Sequence, residues 1–169
     1  NGIDTRSLHD AHASSTVGGR IGGELAARND AGIPYEIVPG VTAGIAGPAY
    51  AGIPVTDRKL SSSVTFITGR EAMESASEER LSTLGTLVIY MGMKTMDEMV
   101  ARLNGCGHER DTLIAVVQWA TLPEQRTVTG NLGNIVDRCA EDGIGSPAII
   151  IDRKSTRLNS SHDQISYAV

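Results

Sequence analysis

The chain has 169 residues, a net charge of −5, 40% hydrophobic content and only 4% aromatic content. That supplies one domain, or two small lobes, with a core of Ile, Val, Leu and Ala; the acidic balance argues against general nucleic-acid binding, and no apolar run reaches membrane-spanning length. Cys106 and Cys139 lie far apart without metal-ligand spacing and, with no signal peptide visible, read as free thiols of a reducing cytoplasm.

Residues 1–18 show neither strand nor helix periodicity. Gly19 to Ala31 reads as a helix, stopped by Gly32 and Pro34. Tyr35 to Val38 reads as a strand, Pro39-Gly40 as a tight turn, and Val41 to Ala51 as a helix of small residues stopped by Gly52 and Pro54. The repeated AGIP at 31–34 and 51–54 is helix-stop chemistry rather than a duplicated unit. After a linker through Ser61, Val64 to Thr68 reads as a strand, and Ala72 to Leu84 as an exposed helix. Thr86 to Tyr90 is a near-continuous apolar run bounded by Gly85 and Gly92, which suits a buried strand. Met96, Met99, Val100 and Leu103 recur at helical spacing within Thr95 to Leu103. Leu113 to Val117 and Arg126 to Thr129 read as strands, Leu132 to Ala140 as a helix, and Ala148 to Ile151 as the last strand. Strands and helices intermix, so the class is α/β.

Few residues announce chemistry by themselves. A strand that turns through glycine into a helix N-terminus is a common ligand platform in α/β sheets, because free backbone N–H groups face the crevice. Thr42 can either cap the following helix through its hydroxyl or help hold a ligand there. Met91 ends a buried strand and is ordinarily core filling. Ala120, at the end of another strand, leaves room for a flat ligand. Arg20, Arg58 and Arg70 are ordinarily solvated surface charges, and Glu24 is ordinarily a helix-start charge. His9, His12, His108 and His162 form no metal set.

The segment VPGVTAGIAGPAYAGIPVTDR (38–58) resembles the signature of uroporphyrinogen-III C-methyltransferases, members of the S-adenosylmethionine (SAM)-dependent tetrapyrrole methyltransferases. The resemblance continues through SSSVTFITGRE (61–71), TLVIYMGM (86–93), VVQWATLPEQRTVTGNL (116–132) and GIGSPAIII (143–151), and covers about residues 19 to 151. It implies a two-lobed tetrapyrrole methylase fold, with the first lobe incomplete and the second a mixed sheet with flanking helices. The implied reaction is C-methylation of uroporphyrinogen III toward precorrin-2, on the route to sirohaem and cobalamin, in a homodimer. Thr42, Ala43, Met91 and Ala120, with Val17, match positions that contact SAM in the family. Arg20 and Arg58 match arginines implicated in holding the carboxylate-rich tetrapyrrole, for which guanidinium forks are suited, and Glu24 is the surviving acid of a Gly-Arg-Gly-Gly-Glu-Glu motif. Arg126 is read as a loop or dimer-contact residue. Arg70 and Asp57 stand where the family commonly shows His; an Asp there repels an anionic substrate.

The division expected from this resemblance is a remnant of the N-terminal lobe at 1–58, a C-terminal lobe at 59–151, and a non-native or disordered tail at 152–169. His12 to Ser15 occupy the place of the family's Gly-Gly-Asp-Pro stretch, and the Gly-rich loop with the proposed catalytic pair is expected further upstream. The expectation is therefore that the chain as given transfers no methyl group. Two alternatives stand beside the enzyme reading: a non-catalytic fragment that dimerises or partly binds SAM, and a related precorrin methyltransferase.

Overall fold

The computed structural model describes residues 21–57, 61–70 and 85–153. They form two compact units that divide between Gly40 and Val41.

The described part of the first unit is a helix and an extended segment. Helix α1 (Ile21–Asp30) carries Glu24 in its first turn and Arg28 in its last, as the helix dipole favours, and buries none of its residues. It ends as the sequence predicts. Gly32 adopts φ 64°, the N–H of Ile33 reaches the carbonyl of Arg28 at 3.0 Å, and the N–H of Gly32 reaches Asn29 at 3.0 Å. This is a Schellman stop, which needs the left-handed conformation that glycine adopts without steric cost. The strand expected at Tyr35–Val38 is not formed: residues 33–42 are irregular, and Val38 is 83% exposed. Strand backbone needs a neighbour for its N–H and C=O groups, and among the described residues these four have none.

The second unit is built on a five-stranded mixed sheet. Its strands are β1 (Val64–Thr68), β2 (Thr86–Tyr90), β3 (Leu113–Gln118), β4 (Arg126–Asn131) and β5 (Ala148–Arg153), in the order β1-β2-β5-β3-β4. Only β1 and β2 run parallel; the other pairings are antiparallel. β2 is buried along its whole length, as its unbroken apolar run predicts. On one face Leu87, Ile89, Ile114, Val116 and Ile150 join Met96, Met99, Val100 and Leu103 of α3 (Met96–Gly105) and Ile135 and Cys139 of α4 (Ile135–Glu141) in the main core. The opposite face takes α2 (Ala43–Tyr50), which packs on β2 and β5. Residues 41–57 fall with this sheet in the second compact unit.

Several element ends shift for local reasons. α4 starts at Ile135 rather than Leu132, because Asn131 to Asn134 form a turn. Its amides are satisfied locally: Asn131 N–H donates to Asn134 Oδ1 at 2.8 Å, and Gly133 N–H donates to Asn131 Oδ1 at 2.9 Å. β5 runs two residues past Ile151. Its Asp152 is fully buried, in register with Leu87 and Ile114, with Oδ2 3.1 Å from Nδ1 of buried His108. The segment expected to leave the fold at residue 152 therefore begins inside it. The helix expected at 72–84 lies outside the described residues.

Candidate functional site

β2 and β3 end at the same edge of the sheet, where β5 begins. The chain leaves both ends through strained backbone. Met91, one residue past β2, has φ 55°; Trp119 and Thr121, just past β3, have φ 48° and 72°. Among the described residues these are the non-glycine positions in the left-handed region. Such conformations cost of order 1–3 kcal/mol each and gather at ligand sites, where the surrounding structure holds them. Gly92 permits the turn after β2. A Cβ there would lie 2.9 Å from Cδ1 of Ile150 and 3.1 Å from Cγ2 of Ile89.

These turns rim a cavity of about 660 Å³, within the range of small-molecule sites. Its floor is Tyr90, Val117 and Ile149, and Met91, Trp119 and Leu122 form its open edge. Ala43 at the start of α2 and Ala120 past β3 contribute small walls, and Ser146 to Ala148, entered through a cis Ser146–Pro147 bond, close a further side. Lys94 is the charged residue of the lining. Met91 is 64% exposed and Trp119 39%. The ordinary reading of Met91 as core filling therefore fails. An exposed thioether and indole over an apolar hollow are what a ligand wall requires.

The helix on the α2 side is set by glycines. Gly47 lets α2 approach the β3 end; a Cβ there would lie 3.1 Å from that of Ala120. Gly44 sits over the rings of Tyr90 and Phe66, and a Cβ there would clash with the phenol oxygen. Thr42 is the N-cap residue, yet its side chain makes no capping bond. Its Oγ1 lies 2.7 Å from the hydroxyl of Tyr90, and the N–H of Gly44 donates to that same phenol oxygen at 3.1 Å. Capping by the Thr42 hydroxyl, one of the two readings of this residue, is thus corrected.

Of the residues singled out in the sequence, Ala43, Met91 and Ala120 line the same cavity; Thr42 is not in its lining but hydrogen-bonds the lining residue Tyr90. Glu24 lies exposed in the first turn of α1, in the other unit. Val17, Arg20 and Arg58 lie outside the described residues. Arg126 sits at the start of β4, exposed, with its guanidinium donating to the carbonyl of Asp142. Tyr90, Lys94 and Pro147 were not singled out. For Tyr90 the signal was there: a phenol closing an otherwise aliphatic buried strand must find a polar partner. No group of three or more metal-ligating side chains occurs among the described residues, and no described helix is long and apolar enough to cross a membrane.

Residues 15–136 match the family of tetrapyrrole (corrin/porphyrin) methylases. The uroporphyrinogen-III C-methyltransferase of Priestia megaterium is 43% identical over 139 residues, covering 80% of this chain and 58% of its own length. That of Synechocystis sp. is 41% identical over 138 residues, covering 79% and 52%. The chain thus spans about half the length of the curated relatives it matches. Among solved structures, a uroporphyrin-III C-methyltransferase from Thermus thermophilus superimposes with a TM-score of 0.72 at 28% identity, over 84% of this chain and 61% of the other. A structure of that enzyme complexed with S-adenyl homocysteine gives 0.67 at 27%, over 83% and 62%. The chain belongs to the tetrapyrrole methylase family.

Proposed function

We propose that the strand-end cavity of the second unit binds SAM, and that the whole protein uses it to C-methylate uroporphyrinogen III on the way to sirohaem or cobalamin. The observation that carries this is the convergence of Ala43, Met91 and Ala120 on one cavity, from three separate stretches of sequence. The residues present fit such a ligand. Two alanines leave flat space, an apolar floor faces the ligand, and the rim is held in strained turns at the strand ends. When bound, SAM supplies an electrophilic methyl group on a sulfonium.

The residues on the page orient and enclose. Ala43 and Ala120 would flank the ligand, Met91 and Trp119 would cover it and exclude water, and Lys94 offers a charge to a carboxylate. No carboxylate or imidazole lines the cavity among the described residues, so the base that takes the ring proton is assigned elsewhere in the protein. Val17 is a further proposed SAM contact, and Arg20, Arg58 and Glu24 are proposed for the tetrapyrrole. Identity near 40% to uroporphyrinogen-III methyltransferases favours that substrate over later precorrins. A homodimer in the cytoplasm is the proposed setting.

The test is calorimetry of the 169-residue chain with S-adenosylhomocysteine (SAH). Saturable binding is expected. Ala120→Leu projects three further carbons into the cavity space the ligand would fill, which should weaken binding about tenfold or more with an unchanged circular dichroism spectrum. Equal affinity for the two proteins, or no binding to the parent chain at millimolar ligand, would overturn the assignment.

A further inference from the structure

We propose that Tyr90 is a positioning residue for this site, capping α2 from the sheet and so fixing the wall on which Thr42 and Ala43 stand. The inference rests on the ligand reading above, but its geometry does not.

The first N–H groups of a helix have no partner within it, and an N-cap side chain usually supplies one. In α2 the N-cap residue is Thr42, and its hydroxyl makes no such bond. The Gly44 N–H instead donates to the Tyr90 hydroxyl oxygen at 3.1 Å, and the Thr42 Oγ1 shares that oxygen at 2.7 Å. One phenol thus replaces the local cap and ties two residues of the helix start to the end of β2. Tyr90 is 8% exposed, and its ring lies against Phe66 with centroids 6.2 Å apart, so the phenol is held in place. The next residue along the strand is Met91, and the residue between the two tied positions of α2 is Ala43. The distance across the cavity between these two lining residues is therefore set through the phenol. Gly44 belongs to the same device, since any side chain there would displace the hydroxyl.

The role requires the hydroxyl and not merely the ring, so Tyr90→Phe is the decisive variant. It keeps the packing against Phe66 and frees the Gly44 N–H. In the 169-residue chain it should weaken SAH binding about tenfold, the upper range for one hydrogen bond. Ile151→Val supplies a comparison: it loosens the buried sheet away from the cavity lining, and should leave SAH affinity within about twofold. Amide exchange of the ligand-free chain gives a second readout. Tyr90→Phe should speed exchange at Gly44 while leaving Val88 and Ile89 protected. SAH affinity unchanged in Tyr90→Phe, or reduced as much in Ile151→Val, would overturn the positioning role while leaving the ligand assignment intact. Undiminished protection of Gly44 in Tyr90→Phe would overturn it too, and would do so even if the parent chain bound no SAH.

Discussion

Among the described residues, three hold backbone that their side chains oppose, and all three stand just past strand ends: Met91 and Trp119 in the cavity lining, and Thr121 between the lining residues Ala120 and Leu122. Thr121 is the most strained type among them, because a β-branched side chain crowds the left-handed region. It is exposed, and its N–H donates to Gln125 Oε1 at 2.7 Å, a bond that survives loss of the side chain. Thr121→Gly is therefore expected to raise stability. The left-handed conformation costs about 1–2 kcal/mol for an L-residue, against about 0.5–1 kcal/mol for glycine's extra unfolded-state freedom. Urea melts should show a gain of about 0.5–1 kcal/mol; a loss would mean that the threonine side chain makes a contact worth more than its strain. Cys139 illustrates the opposite kind of residue. Burial, with Asp142 adding to it and Arg138 opposing, raises its thiol pKa above the ordinary value. The folded form keeps the proton after the unfolded thiol has lost it. The stability this thiol contributes is thus complete below about pH 8.5 and is lost as pH rises through the higher folded value. An aromatic disulfide reagent at pH 8 should leave Cys139 unmodified in the native chain and react promptly in urea; native-state modification at the denatured rate would contradict its placement.

At the scale of elements, helix stops were the most legible feature of the sequence. Gly32 and Gly52, read as stops from the Ile-Pro that follows each, both take positive φ; so do Gly107 and Gly143, which the sequence reading did not single out, and in each case the following N–H reaches back five residues to a helix carbonyl. Gly107→Ala meets no atom within 4 Å, so only backbone strain opposes it. A loss of about 1–2 kcal/mol is expected in thermal or urea melts. Strand ends were less legible, because they depend on partners distant in the chain. Tyr35–Val38 has the composition of a strand but no neighbour among the described residues, whereas Asp152 has the composition of a tail and lies inside the sheet. Nothing local marks Asp152 as buried. Its acceptance depends on His108, 44 positions away, reaching it at 3.1 Å. Asp152→Ala should cost about 1–3 kcal/mol by removing the carboxylate beside the buried His108 imidazole, and a cost below about 0.5 kcal/mol would show that the contact is incidental.

For the molecule as a whole, the α/β class and the fully buried strand β2 followed from apolar runs and their bounds, and the mixed sheet followed from family resemblance. The site was legible in a particular way. Ala43, Met91 and Ala120 are unremarkable residues taken singly, and only the resemblance joined them; the sheet then shows why they meet, since β2 and β3 end at one edge and α2 starts above it. That the Tyr90 phenol needs a polar partner was legible; which partner it takes was not, because a hydrogen bond spanning 46 positions leaves no spacing to read. The central claim is that this cavity, and not another surface of the second unit, takes the methyl donor. Methyl-detected NMR of the chain titrated with SAH tests it most directly. The account predicts saturable shifts of the Met91, Ala43 and Ala120 methyl signals, with those of Ile53 and Val55 behind α2 unmoved. Shifts confined to Ile53 and Val55, or no saturable shift at Met91, Ala43 and Ala120, would contradict it.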